Sequence, residues 1–452
     1  MKKSLLFTAL SGLLLAKVVD YSYVQKLTLK NNLELKAKKL TIDKAEKQLL
    51  EARGYDLGKF IFREEISRSN NALYVFGMKL ESREAKGDDL GIGELMGAGQ
   101  NAGSVEPRNL NYPAPRTNFK TLLFYEIPLF TAGKLRYAQQ MAALQIQANR
   151  YKYAHDKTKL LLETIKAYNG AVAAKEAIKA LLKAKETTVS FVRMIKNYKR
   201  VGMATQVDLL QAQKRYSEVK AMLVDARNKY ALALAYLRFL TDDYSITGVK
   251  NFQVFTPPKG DLKTLQAIAL KKRNDLKWMQ KNVETMRKKV KMDSAVKYPS
   301  IGGHFEYGWN DNVPTLSGDK DFYTLAVRMD YNIFNEAERA KIEYSKVQAL
   351  QTSYYYRYMQ KGIKLDVEKK YLTLKAKEAT LRNKIINKNL AEEILRKYTY
   401  MYKQGMINMT ILLMKESELR KARAELIKAK YDKALAAAEL RAAVGELNEG
   451  VR

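Results

Sequence analysis

The chain has 452 residues, a formal net charge of +33, 46% hydrophobic residues and no cysteine. The missing thiols exclude disulfides, thiolate metal sites, a cysteine nucleophile and a lipidated N-terminal cysteine. His155 and His304, the only two histidines, stand too far apart in sequence to suggest a histidine-based metal or catalytic cluster.

Residues 1–16 place Lys2 and Lys3 before a short apolar run, the layout of a secretory signal peptide too short to span a membrane. Residues 24–54 read as helix, and Lys59–Ser67 as a weakly alternating strand. The segment 68–116 is rich in Gly, Asn and Asp and holds Pro107, Pro113 and Pro115, which predicts a long exposed loop. Thr117–Ile127 alternates as a strand, with Phe119, Leu123, Tyr125 and Ile127 on one face and Lys120 and Glu126 on the other. Pro128 through Gly133 is expected to end that strand and launch a helix. No proline follows until Pro257, so the helix running to the next turn should be on the order of 100 Å long at 1.5 Å per residue. Gly170 is its one evident weak point.

The stretch Tyr198–Gln213 organises the rest, because it returns 203 residues later around Tyr402. Gly202-Met203 aligns with Gly405-Met406, and Leu209-Leu210 with Leu412-Leu413. Glycine ends a helix in a left-handed cap, and Thr205 or Asn408 three residues on suits the N-cap of the next. Each copy therefore predicts a helix, a tight turn and a helix. Beyond the turns, Leu209, Tyr216, Leu223, Tyr230 and Leu237 recur every seven residues, with Ala212, Val219, Ala226 and Ala233 between them. Leu412, Leu419, Leu426, Lys433 and Leu440 keep the same phase. Two coiled-coil seams in one phase indicate an internal duplication. The expected division is a signal peptide at 1–16, a first repeat at 17–242 with its tip near 198–206, and a linker at 243–261. A second repeat at 262–447, with its tip near 401–409, and a tail at 448–452 complete it. Leu270–Leu276 resembles Leu29–Leu35 at an offset of 241, so the first half carries about 38 extra residues, mainly the 68–116 loop.

Two strands are expected in the second half. Tyr323, Leu325, Val327, Met329 and Tyr331 face one way, and Thr324, Arg328 and Asp330 the other. Ile301, Phe305, Tyr307 and Trp309 likewise oppose Ser300, His304 and Glu306. An apolar, aromatic face backed by charge suits a strand between lipid and water, and equally a half-buried soluble sheet. Four strands cannot close a barrel, and an open sheet would leave unpaired edges in lipid. Spanning requires several chains to pool strands, and three would supply twelve.

That architecture is the one found in the TolC-like outer-membrane efflux proteins, which this sequence resembles over nearly its whole length. The resemblance rests on Pro128-Leu-Phe-Thr-Ala-Gly133-Lys as the strand-to-helix junction and on Tyr331–Asn335 as its looser second copy. It rests also on the Tyr198–Gln213 tip and on Asn32-Leu-Glu-Leu35, which lacks the proline usual there. It implies a mixed α and β membrane protein, with a long α-helical coiled-coil barrel and four strands per chain in a trimeric 12-stranded transmembrane β-barrel. The trimer would be a passive exit duct in the outer membrane, its helical part in the periplasm. Its partners would be outer-membrane lipid, a periplasmic adaptor and an inner-membrane pump or ABC-type transporter, with no cofactor, metal, nucleic acid or catalysis. The adaptor would meet the tips at Gly202, Met203, Thr205, Gly405, Met406 and Asn408. Family members carry acids six and nine positions after the second-tip glycine, where this chain has Ile411 and Met414. The first tip keeps an acid at the sixth position, Asp208. Asp208, Ile411 and Met414 are therefore the candidate periplasmic constriction, closing by apolar dewetting rather than by a ring of acids. Ile411 and Met414 are equally placed to be seam residues.

A soluble basic coiled-coil protein binding nucleic acid or an anionic polymer is the alternative. It accounts for the charge but not for the leader, the strands or the repeat. The lysines and arginines are spread along the helical segments, as solvated faces require. No set of residues assembles a nucleophile, a base and an oxyanion site.

Overall fold

The computed structural model describes residues 17–447. The expected leader at 1–16 and the tail at 448–452 lie outside them. The first elements are β1 (Lys17–Val19), α1 (Tyr21–Asn31), α2 (Leu33–Gly54) and β2 (Lys59–Ser69). Three helices α3 (Ala72–Glu81), α4 (Ile92–Gly97) and α5 (Arg108–Asn111) precede β3 (Arg116–Phe130), so the expected loop carries secondary structure of its own. The helix α6 (Lys134–Arg200), α7 (Gln206–Thr241) and β4 (Ile246–Val249) complete the first half. The second half comprises α8 (Leu262–Lys272), α9 (Asn274–Ser294), β5 (Ser300–Asp311), β6 (Asp321–Asp330), α10 (Glu336–Lys403) and α11 (Met409–Val444).

The chain divides into two units. One comprises the described parts of Met1–Asp43, Gln147–Lys281 and Tyr354–Arg452; the other comprises Lys44–Ile146 and Asn282–Ser353. The first unit is helical, apart from the parallel pair β1–β4. Its core gathers Tyr21, Ile165, Tyr168, Leu237, Leu265 and Leu440. Fully burying an aliphatic chain of this size contributes roughly 1.5–3 kcal/mol. The Tyr21 ring meets Tyr168 and Phe255 edge-on, each at 5.8 Å between centroids.

Helix α6 runs unbroken through Gly170 because the residues around it are fixed by packing and hydrogen bonds. Tyr168, Ala171 and Val172 lie in the core. The Asn169 side chain donates to the Gln253 carbonyl at 3.0 Å and accepts from the Gln253 amide at 2.8 Å. Tertiary packing here outweighs the cost of a helical glycine, about 1 kcal/mol.

The helix expected over 24–54 is interrupted at Asn32, whose backbone leaves the helical region at φ −55°, ψ 118°. Its carboxamide caps α2 by accepting from the Leu35 amide at 2.9 Å. The Asn31 and Asn32 side chains donate to the Thr241 and Leu240 carbonyls at 3.0 and 3.4 Å, filling acceptors that the end of α7 leaves open. The helix expected over 262–297 is interrupted in the same way at Arg273, whose backbone is extended and which donates to the Ala443 carbonyl near the end of α11 at 3.5 Å.

The second unit holds an antiparallel sheet of order β2-β3-β5-β6. Pro128 does not end its strand: β3 continues to Phe130, with a bulge between Pro128 and Phe130. Pairing with β2 stops at Glu126, so Pro128 lies where β3 has a partner on one side only. A strand tolerates proline at such an edge and at a bulge.

Candidate functional site

Register sorts the strand residues by face. Lys59, Glu126, His304 and Ala326 stand in one row across the sheet, and Ile61, Phe124, Glu306 and Thr324 in the next row on the same face. Lys59 pairs with Glu126 at 2.6 Å, His304 Nε2 lies 3.2 Å from Glu306, and the Arg63 guanidinium covers the Phe124 ring at 4.8 Å. The opposite face carries Phe60, Phe62, Leu123, Tyr125, Phe305 and Tyr307, continued by Tyr323, Leu325, Val327 and Met329 on β6. The four β6 side chains on that face are 65–75% exposed. An apolar face this large, opposite a charged one, fits lipid on one side and water on the other. Among the described residues no helix is long and apolar enough to cross a membrane.

The helical unit carries the two tips. At the first, Gly202 has φ +77°, its amide donates to the Lys199 carbonyl at 3.2 Å, and the Met203 amide to the Tyr198 carbonyl at 2.8 Å. At the second, Gly405 has φ +74°, its amide donates to Tyr402 at 3.0 Å, and the Met406 amide to Met401 at 3.0 Å. Both are Schellman caps, in which only glycine takes the left-handed position without strain. Thr205 caps α7 and Asn408 caps α11. Against each other, Tyr198 and Tyr402 stack at 6.1 Å between centroids. Phe191, Ile195, Leu209, Met409, Leu412 and Leu413 close the core beneath them.

The three constriction candidates are placed differently. Asp208 completes a capping box: its carboxylate accepts from the Thr205 amide at 2.9 Å and the Thr205 hydroxyl at 2.7 Å. The Thr205 hydroxyl accepts in turn from the Asp208 amide at 3.1 Å. At the second tip Ile411 occupies the equivalent position, and its amide donates to the Asn408 carboxamide at 3.0 Å. Ile411 is half-buried and Met414 exposed, and neither belongs to the tip core. Met203 and Met406 are likewise exposed beyond the caps. At the junction, Gly133 is left-handed at φ +80° next to the left-handed Ala132, and its carbonyl accepts from the Tyr137 amide at 2.9 Å as α6 begins.

Glu416 was not anticipated. It lies 3% exposed on α11, with Arg420 Nε at 3.7 Å and Arg215 Nε at 3.9 Å, and burial pushes its carboxyl above the usual range. The available signal was an acid midway between the seam positions Leu412 and Leu419.

A two-faced antiparallel sheet and paired helical hairpins fit a channel-forming protein of the outer-membrane type. Residues 95–242 and 265–446 match the family model described as outer membrane efflux protein. The alkaline protease secretion protein AprF of Pseudomonas aeruginosa is 23% identical over 347 residues, spanning 74% of this chain and 70% of AprF. The crystal structure of CusC superposes with a TM-score of 0.79 at 15% identity, covering 95% of this chain and 93% of that one. The CmeC outer membrane channel of Campylobacter jejuni does so with a TM-score of 0.77 at 18% identity, covering 94% and 86%. The chain belongs to the outer membrane efflux protein family. It is a channel protein of the outer membrane, and the reading as a soluble nucleic-acid-binding coiled coil is set aside.

Proposed function

We propose that three copies of this chain pool their sheets into a twelve-stranded barrel in the outer membrane and continue it into the periplasm as a helical tunnel. The observation that carries this is the sheet itself. It has four strands, two unpaired edges at β2 and β6, and an exposed apolar face. Open edges in lipid cost several kcal/mol per unsatisfied group, and joining copies edge to edge removes them. The trimer is a passive exit duct that makes and breaks no bond. It receives substrates from an inner-membrane pump or ABC-type transporter through a periplasmic adaptor. The exposed Met203 and Met406, with Val201 and Val207, form the apolar ends on which the adaptor docks. AprF is by name a secretion protein, which favours a secretion transporter among the partners.

An internal duplication underlies the architecture. The capping glycines Gly202 and Gly405 lie 203 residues apart, and so do the left-handed residues Asp242 and Gly445 that end α7 and α11. The helix breaks at Asn32 and Arg273 lie 241 apart, and their donors reach Leu240 and Ala443, again 203 apart. Such matched contacts support one hairpin built twice.

The purified protein in detergent should have the mass of three chains by light scattering and run as a heat-modifiable band. A monodisperse monomer soluble without detergent would end the duct reading.

A further inference from the structure

The 46 residues 70–115 are not needed to close the hairpin that contains them. Ser69 and Arg116 already pair across β2 and β3, and two residues suffice for such a turn. What the insertion does instead is fold back on the sheet. Helix α3 lies against β3 and β5. At its end Glu81 accepts from Asn310 Nδ2 at 2.8 Å and pairs with Lys120 Nζ at 3.5 Å. Register puts Asn310 and Lys120 on the same face as Glu126 and His304, the charged face. Beneath α3, Asn118 and Asn310 are buried although polar, joined by a hydrogen bond of 2.6 Å. Val75 and Ser82 on the insertion side are buried as well.

The next three residues are clamped. Arg83, left-handed at φ +57°, donates to the Asp319 carbonyl of the β5–β6 turn at 3.0 Å and to the Asp321 carbonyl at the start of β6 at 2.7 Å. Lys320 donates to the Ser82 carbonyl at 2.8 Å and to Glu84 at 2.9 Å. Arg116 closes on the other Glu84 oxygen at 2.5 Å and on the Ser82 hydroxyl at 2.8 Å. Farther out, Lys79 pairs with Asp89, and Glu94 accepts from the Arg108 amide at 2.8 Å. The insertion is thus folded within itself and bolted to both hairpins.

We propose that the insertion is a lid on the outer mouth of the duct, held over the lumen by the Arg116–Glu84–Lys320 ion triad and the Arg83 clamp. The inference rests on the trimeric duct proposed above. There the charged face lines the water-filled lumen, so three copies of α3 converge on the exit. The lid gives the mouth a barrier of its own, separate from the tips, against solutes entering from outside.

The absence of native cysteine allows a direct test. His304→Cys places a thiol on the lumen face, and Gly318→Cys places one in the exposed β5–β6 turn as a control for outside access. Intact cells are treated with a bulky, membrane-impermeant maleimide. The His304→Cys thiol should label slowly in the full chain, and at least tenfold faster when a short Gly-Ser turn replaces residues 70–115. Arg83→Ala with Glu84→Ala, which keeps the insertion, should fall between. Gly318→Cys should label equally fast with and without the insertion. Equal His304→Cys labelling in all three backgrounds, whether fast or slow, with Gly318→Cys reactive, overturns the lid. An unreactive Gly318→Cys in a correctly sized trimer contradicts the orientation of the duct instead, and loss of the trimer in the full chain contradicts the duct itself.

Discussion

Divalent or trivalent cations added on the periplasmic side of a planar bilayer should leave the conductance of the unmodified channel low and largely unchanged. A ring of free carboxylates would bind such ions and be plugged by them. In this chain the one carboxylate near the tips at the expected place, Asp208, is engaged by the amide and hydroxyl of Thr205. The matching positions of the second tip are Ile411 and Met414, which carry no charge and stand outside the tip core. Apolar rings close a narrow pore by excluding water, and cations have nothing there to bind. Ile411→Asp with Met414→Asp should therefore create a block that removes most of the current, and Ile411→Ser should raise the basal conductance by wetting the constriction. Strong block of the unmodified channel would assign the closure to Asp208 or another acid and retire the apolar constriction.

Replacing Arg273 by Met should lower the stability of the helical unit by about 3–5 kcal/mol, the usual cost of stranding one member of a buried pair. Arg273 donates to both Asp275 oxygens at 3.1 and 2.7 Å and to Asp366 at 2.7 Å, and Asp275 is only 7% exposed. Burial by itself would push the Asp275 carboxyl up, but the guanidinium beside it holds it below its usual value. A carboxyl with a lowered folded pKa contributes stability above its ordinary value and loses it as pH falls through the lowered one. Urea midpoints of the parent should accordingly fall in acid, below about pH 4. Arg273→Met with Asp275→Asn should regain most of the neutral-pH loss and show a shallower acid slope. A single variant within about 1 kcal/mol of the parent would remove Arg273 from the framework and leave it a surface ion pair.

Much of this was legible from residue order because two local rules dominate it. Alternation assigned the strand faces, since lipid or core on one side and water on the other leave no freedom of register. Glycine followed by a hydroxyl or amide residue marked both tips, because few residues can end one helix and start the next within so short a turn. Other features depend on partners distant in sequence. Asn32 and Arg273 interrupt helices that their own neighbours favour, because each reaches the end of another helix. Pro128 reads as a strand breaker until the end of the β2 pairing is known. The 70–115 segment has the composition of a loop, and ion pairs with Lys120, Arg116 and Lys320 hold it in place. Asp208 is a local case. The resemblance marks it as a constriction candidate, and the local spacing from Thr205 adds a second role, the acid of a capping box.

The parallel pair β1–β4 sets an order on the making of this protein. Lys17–Val19 have no strand partner until Ile246–Val249 exist, more than two hundred residues later. The Asp20 carboxylate waits for Lys250 in the same way, their pair closing at 3.2 Å. Closing so long a loop is entropically slow, whereas hairpins such as α6–α7 can form from neighbours as they emerge. Lys17–Val19 are thus among the last described residues of the first half to find their partners.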